Sequence, residues 1–287
     1  MEISAQMVKD LREKTGAGMM DCKHALAESK GDIEKAVAIL REKGIARATS
    51  KEGRSTKEGI IWSHVHPSGK LGVMVEINCE TDFVARTDKF RAFASDIANH
   101  VAASAPKNVD DLLAQAMKGK PVSEHLKEII GSIGENMGIK RFTRFDDGGF
   151  VTTYVHPGDK LGVLVEITGP KEATAGQEKF KTFARDVAMQ IAASSPVCVR
   201  REELDASLLA SEREIYRKQA LNEGKPEKIV DKIVDGKIEK YFSEVVLLEQ
   251  PFVKDNDKSV GDLVKETAGA LGETIVIKRF ARFRLGE

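Results

Sequence analysis

The sequence is short of cysteine, of large aromatics and of any surplus of charge. Its 287 residues hold 3 cysteines, 3 tyrosines and 1 tryptophan, and 45 basic side chains meet 45 acidic ones. Cys22, Cys79 and Cys198 lie far apart with no C-x-x-C pair, which speaks against a disulfide framework and fits a reducing compartment. Zero net charge argues against coating nucleic acid or an anionic membrane by bulk charge, while leaving room for a local patch. No apolar run approaches the roughly 20 residues that cross a bilayer. Met1-Glu2-Ile3-Ser4 leads straight into helical pattern with no secretory or transit segment, so a soluble cytoplasmic protein is expected. Catalytic signatures are missing as well. There is no phosphate-binding G-x-x-x-x-G-K-[ST] loop, no G-x-S-x-G elbow, no H-E-x-x-H helix and no cysteine metal cluster. The expectation is a binding protein with no catalytic residues, no resident metal, no cofactor and no nucleotide site of its own.

What is present is organisation. At about 100–200 residues per domain the length allows two to four units. Residues 1–46 read as a three-helix bundle. Ser4 caps a helix carrying Val8 and Leu11, and a second helix after Met19-Met20 holds Cys22, Ala25 and Leu26. Asp32 caps a third with Ile33, Ala36, Val37 and Leu40 on one face, and Gly44 is its expected stop. Residues 47–59 are polar and read as a linker.

The rest is an internal repeat. Val65-His66-Pro67-Ser68-Gly69-Lys70-Leu71-Gly72-Val73-Met74-Val75-Glu76-Ile77 returns ninety positions later as Val155-His156-Pro157-Gly158-Asp159-Lys160-Leu161-Gly162-Val163-Leu164-Val165-Glu166-Ile167. The offset carries on through Lys89-Phe90 and Lys179-Phe180, and Gly134-Glu135 through Phe145 recurs as Gly272-Glu273 through Phe283. Each copy reads as strand, turn, strand, helix, helix, strand, an α+β pattern of small antiparallel sheets packed on helices. Copy 1 spans 60–146 and copy 2 spans 147–287. Copy 2 is longer by an inserted helical hairpin near 207–248, turning at Gly224-Lys225-Pro226, with Val230, Ile233, Val234, Ile238 and Tyr241 on one face. Its charged outer faces are expected to be solvated or to touch a partner.

Four places are candidates for function. His64 and His66 share a strand face but have no third ligand near, and His156 repeats His66 in the same turn, so a structural role is the default for them. Arg-Phe-Thr-Arg-Phe at 141–145 and Arg-Phe-Ala-Arg-Phe at 279–283 could stack bases and neutralise phosphate, or form an amphipathic strand with Phe inside and Arg in water. Gly16, Gly18, Met19 and Met20 make a glycine-bounded loop with two soft apolar side chains, suited to a core or to a partner. The repeats diverge most after the second strand. Copy 1 runs Asn78-Cys79-Glu80-Thr81-Asp82-Phe83-Val84-Ala85-Arg86-Thr87, where copy 2 has Thr168-Gly169-Pro170-Lys171-Glu172-Ala173-Thr174-Ala175-Gly176-Gln177. Phe83 is either a core plug or an exposed wedge flanked by acid and base.

Thr15-Gly16-Ala17-Gly18-Met19-Met20-Asp21-Cys22-Lys23 with Gly31-Asp32-Ile33-Glu34-Lys35-Ala36 resembles the amino-terminal signature of the elongation factor Ts family. Cys79-Glu80-Thr81-Asp82-Phe83-Val84-Ala85-Arg86 resembles its second signature and Gln250-Pro251-Phe252-Val253 a third. The resemblance covers nearly the whole chain in order. It implies a ubiquitin-associated-like bundle and a guanine-nucleotide exchange factor that binds the GTPase elongation factor Tu and promotes GDP release. By the same carry-over, Arg12, Met19 and Met20 would dock on the GTPase's nucleotide-binding domain. Thr81, Asp82, Phe83 and Val84 would form the intruding loop that disturbs the Mg²⁺ and phosphate site. Ile133, Gly134 and His156 would make further contacts. The sequence runs to Arg284-Leu285-Gly286-Glu287, so the contact that some longer family members make through a further carboxy-terminal module is not expected. A homodimer, or a two-to-two complex with the GTPase, stays open, as does the role of the hairpin. An RNA-binding module built on the Arg-Phe strands and a scaffold with Phe83 buried are the alternatives.

Overall fold

The computed structural model describes residues 3–287. Helices α1 (Ala5–Thr15), α2 (Met19–Glu28) and α3 (Ile33–Thr49) come first. Copy 1 follows as β1 (Glu58–Val65), β2 (Gly72–Cys79), α4 (Asp82–Ala85), α5 (Asp88–Ser104), α6 (Val109–Ala114), β3 (Ala116–Met117), β4 (Lys120–Pro121), α7 (Val122–Ile133) and β5 (Met137–Phe145). Copy 2 has β6 (Phe150–Val155), β7 (Leu161–Thr168), α8 (Glu172–Ala175), α9 (Glu178–Ser194), α10 (Ala206–Asn222), α11 (Glu227–Val245), β8 (Pro251–Phe252), β9 (Asp255–Ser259), α12 (Val260–Leu271) and β10 (Val276–Arg284). One sheet has the order β1-β2-β5 and another β10-β7-β6, so the repeat-related strands β2 and β7 are each central. Strands β6 and β7 are antiparallel, from Phe150 opposite Ile167 to Val155 opposite Gly162. The α+β class read from the repeat is the class observed.

By internal contacts the chain forms two compact units. Unit 1 holds the residues up to Trp62 with Met74–Thr143 and Arg284–Glu287, and unit 2 holds Ser63–Val73 with Arg144–Phe283. The β1–β2 turn therefore counts with the second repeat. Its Gly69 carbonyl accepts the Val151 N–H at 2.8 Å, and a side chain at Gly72 would meet Val151 and Leu164.

In unit 1, Ser4 and Asp32 cap α1 and α3 by accepting the N–H groups of Met7 and Lys35. Val8, Leu11, Cys22, Ala25, Leu26 and Ala36 close the bundle core; full burial of a leucine side chain is worth roughly 1.5–3 kcal/mol. Gly44 does not end α3, contrary to the sequence expectation. The helix runs five residues further, to Thr49, because Gly44 serves a close helix crossing: a Cβ on Gly131 of α7 would lie 2.5 Å from the Gly44 backbone. Arg41 of α3 pairs with Glu124 and Glu128 of α7, and Arg47 binds Asp21 of α2 through two hydrogen bonds of 2.7 and 2.8 Å. That guanidinium holds the Asp21 carboxyl below its ordinary range. Residues 47–49, expected in the linker, are thus helical.

The Arg-Phe strands also differ from expectation. Glu76 and Glu166, ninety positions apart on the central strands, are buried, and each takes an arginine from the neighbouring strand. Arg141 Nε binds Glu76 at 2.7 Å, and Arg279 Nε binds Glu166 at 2.6 Å while its guanidinium stacks 4.2 Å over the Phe145 ring. These arginines are counter-ions to buried carboxylates, and removing the arginine, which leaves the carboxylate buried without it, should cost more than losing a surface ion pair, worth about 0–1 kcal/mol.

In unit 2 the hairpin closes on Val230, Val234, Ile238 and Phe242 of α11 against Ala220 of α10. The sequence expectation put the hairpin near 207–248; its first helix, α10, starts at Ala206, capped by Asp205. Arg201 clamps the base, bonding Glu239 at 2.7 Å and Glu249 at 2.6 Å and stacking 4.2 Å over Phe242. The third motif is an internal latch. Buried Gln250 donates to the carbonyls of Ser194 and Glu244 and accepts from buried Gln190, and Phe252 is buried beside it.

Candidate functional site

Strand β2 is buried along its whole length and ends at Cys79, so the chain leaves the core there under tight control. The Cys79 thiol is buried and donates to the Thr81 carbonyl at 3.1 Å. Burial, aided by the charge of Glu135, pushes its pKa up to about 12. Thr81 then caps α4, its hydroxyl accepting the Val84 N–H. One turn later Thr87 caps α5 in the same way, accepting the Phe90 N–H. Between the two caps, Val84 and Ala85 face the core and Asp82 and Phe83 face outward. Phe83 is 79% exposed, the most exposed large apolar side chain among the described residues. Asp82 is bridged to Arg86 at 2.8 Å along the same turn.

The turn is tied from the side by the junction of α7 and β5. Thr81 donates its N–H (3.0 Å) and its hydroxyl (2.7 Å) to the Glu135 carboxylate, and the Asn136 N–H donates to Glu80 at 2.6 Å. Gly134 ends α7 in the left-handed region, at φ 91°, and its carbonyl accepts the Lys51 ammonium. Ile133 and Gly134 are therefore fixed to the Phe83 turn through the next residue, Glu135. Copy 2 supplies an internal comparison. Its α8 is the same four-residue helix, with Glu273 bonded to Thr174 at 3.1 Å, but Ala173 stands where Phe83 does. The backbone turn forms without an aromatic there, so Phe83 is not what folds it.

A scan against family models matches residues 80–287 to "Elongation factor TS", starting at the acid that opens the Phe83 turn. Among curated proteins, "Elongation factor Ts" of Trichlorobacter lovleyi is 48% identical over 291 residues, covering 100% of this chain and 94% of that one. The protein of that name from Clostridium perfringens is 50% identical over 287 residues, covering 99% and 93%. That of Chloroherpeton thalassium is 49% identical over 291 residues, covering 100% and 99%. The chain belongs to the elongation factor Ts family. It is a translation elongation factor, and its work is in protein biosynthesis.

The remaining residues named by the resemblance to elongation factor Ts fall in two places. In unit 1, Met19 and Met20 open α2 and are 48% and 59% exposed, so they are not bundle core. Arg12 is exposed on α1. The loop before Met19 is tied to the core, with Ser132 of α7 donating to the Gly16 carbonyl at 3.3 Å and Lys89 of α5 bonding Ser132. His156 lies in unit 2, exposed at the β6–β7 turn, its Nδ1 2.9 Å from the Tyr154 hydroxyl. His66 makes a different bond, with Ser68 Oγ at 2.8 Å, so the repeated histidines are not equivalent. Among the described residues no group of His, Cys, Asp and Glu could hold a metal ion, and no helix is long and apolar enough to cross a membrane.

Sequence reasoning missed Glu135, Lys89, Ser132 and the glycine contact. Glu135 and Lys89 left a signal, their recurrence as Glu273 and Lys179.

The thiol carries a pH consequence. A proton held more tightly in the folded state contributes fully below the unfolded cysteine pKa of about 8.5 and is lost as pH rises above it. Native Cys79 should resist iodoacetamide at pH 8 and react once the protein is unfolded, and the urea midpoint should fall from about pH 8.5 upward. Rapid native labelling at Cys79, read by peptide mass, would contradict its burial.

Proposed function

We propose that the chain is a guanine-nucleotide exchange factor for elongation factor Tu. In this reading the bundle at 1–46 docks on the GTPase through Arg12, Met19 and Met20. The Thr81–Val84 turn then enters beside the nucleotide, Phe83 wedging between GTPase helices and Asp82 disturbing the Mg²⁺ and phosphate site. Ile133 and Gly134 approach the guanine side, and His156 touches another GTPase domain. Phe83 carries the reading: a bulky apolar side chain stays in water on a doubly capped, side-tethered turn, where the repeat has alanine.

The thermodynamics need no covalent chemistry. A partner that binds the distorted or nucleotide-free GTPase better than the nucleotide-bound form speeds release, and nucleotide weakens that partner by the same factor. Mg²⁺ is often the largest local charge in a phosphate site, so disturbing its ligands loosens the phosphates. The RNA-binding alternative loses its footing, since Arg141 and Arg279 are engaged with Glu76 and Glu166. The scaffold alternative required a buried Phe83. The test is release of fluorescent GDP from elongation factor Tu on adding the chain. Acceleration supports the proposal, and an unchanged rate overturns it.

A further inference from the structure

Resting on that exchange reading, we infer that Glu135 is a positioning residue, a clamp that holds the Phe83 turn and the Ile133–Gly134 corner as one rigid surface before the partner arrives. Glu135 takes both donors that Thr81 offers, at 3.0 and 2.7 Å. The neighbouring bond runs the other way, from the Asn136 N–H to Glu80 at 2.6 Å, so two adjacent residues on each side are cross-linked reciprocally. Asn136 is itself anchored, its side-chain amide donating to the Arg54 carbonyl at 2.9 Å.

The repeat shows that this clamp is more than the fold requires. In copy 2 the matching carboxylate, Glu273, takes the Thr174 hydroxyl at 3.1 Å and a largely exposed Lys171 ammonium at 3.7 Å. Lys171 occupies the place of Thr81. The turn that carries alanine is held by a hydroxyl and a solvated ion pair; the turn that carries an exposed phenylalanine is held through backbone and side chain together. Charge-assisted hydrogen bonds to a carboxylate are the stronger and more directional kind. An exposed aromatic gains most from such restraint, because ordering a loop at the moment of binding subtracts from the binding free energy. The clamp also sets the spacing of two contacts that come from distant parts of the sequence.

The test is Glu135→Gln in the full chain, with Thr81→Val, which keeps the N–H donor and loses the hydroxyl. Glutamine has one acceptor oxygen and presents an NH₂ to the other donor, so one bond is lost. At saturating chain the rate of GDP release from elongation factor Tu should fall about tenfold for Glu135→Gln. The half-saturating concentration should move little, since the bundle still docks. Thr81→Val should lie between wild type and Glu135→Gln. Because Glu135 acts through the wedge, Glu135→Gln added to Phe83→Ala should cause no further loss. A full rate for Glu135→Gln, or an undiminished tenfold loss on the Phe83→Ala background, would overturn the clamp.

A second readout needs no GTPase. In the free protein, amide hydrogen exchange at Thr81 should speed up in Glu135→Ala, which removes both acceptor oxygens, while Phe90 and Ala94 in α5 keep their protection. If wild type fails to release GDP, the exchange reading falls, and this amide decides the clamp alone: a Thr81 N–H still protected in Glu135→Ala refutes it.

Discussion

Replacing Phe83 by alanine should leave the protein folded and cut its acceleration of GDP release by about 30- to 1,000-fold, the effect of losing a hot-spot side chain worth about 2–4 kcal/mol. The separation of the two effects follows from where the ring sits. At 79% exposure it contributes little to the core, so the melting temperature should hardly move, as for other surface substitutions. Val84 and Ala85, which do face the core, stay in place. The repeat offers a matched control. Adding Ala173→Phe to Phe83→Ala puts an aromatic on the equivalent turn of copy 2 and should not restore the rate, because the flanking residues there are Lys171, Glu172 and Gly176 in place of Thr81, Asp82 and Arg86. Full activity in Phe83→Ala would remove the wedge from the mechanism while leaving exchange through other contacts standing.

The second large effect is expected at two touching glycines that should respond with opposite signs. A Cβ on Gly131 would sit 2.5 Å from the Gly44 backbone, a distance no flexible side-chain end can relieve, so Gly131→Ala must push α3 off α7. Overpacking of this kind costs about 1–3 kcal/mol. The reverse substitution, Gly44→Ala, places its Cβ 3.8 Å from the Gly131 Cα, an ordinary contact, and removes a helix-interior glycine. That should stabilise by about 0.5–1 kcal/mol. In Gly131→Ala the bundle should loosen, protease should cut faster between α3 and β1, and binding of the GTPase should weaken as Met19 and Met20 lose their fixed position. Differential scanning calorimetry and limited proteolysis of both variants check the pair. Equal melting temperatures would contradict the close crossing of α3 and α7.

These two sites mark how far the sequence could be read. The repeat, the caps at Ser4 and Asp32, the hairpin and the α+β class follow from local pattern, because a cap or an apolar face needs only its near neighbours. Phe83 was ambiguous for a physical reason: whether a phenylalanine after a strand plugs a core or faces water depends on which side of a four-residue helix it falls. The two caps at Thr81 and Thr87 settle that only in three dimensions. Gly44 was misread as a stop because a helix glycine looks the same whether it ends the helix or admits a neighbour 87 positions away in the sequence, at Gly131. The sequence leaves Arg141 and Arg279 between nucleic acid and water because their counter-charges, Glu76 and Glu166, belong to other strands and are themselves hidden inside apolar runs. Glu135 was visible as a recurring letter but not as a clamp, since its partner Thr81 lies 54 positions earlier.

The most direct measurement is stopped-flow release of fluorescent GDP from elongation factor Tu, with and without saturating chain, in millimolar Mg²⁺ and again in excess chelator. If the chain works by disturbing the Mg²⁺ and phosphate site, it should accelerate release strongly in Mg²⁺ and much less once the chelator has already removed the ion. No acceleration in Mg²⁺ would contradict the exchange function, and an acceleration of equal size in both buffers would contradict the Mg²⁺ route to it.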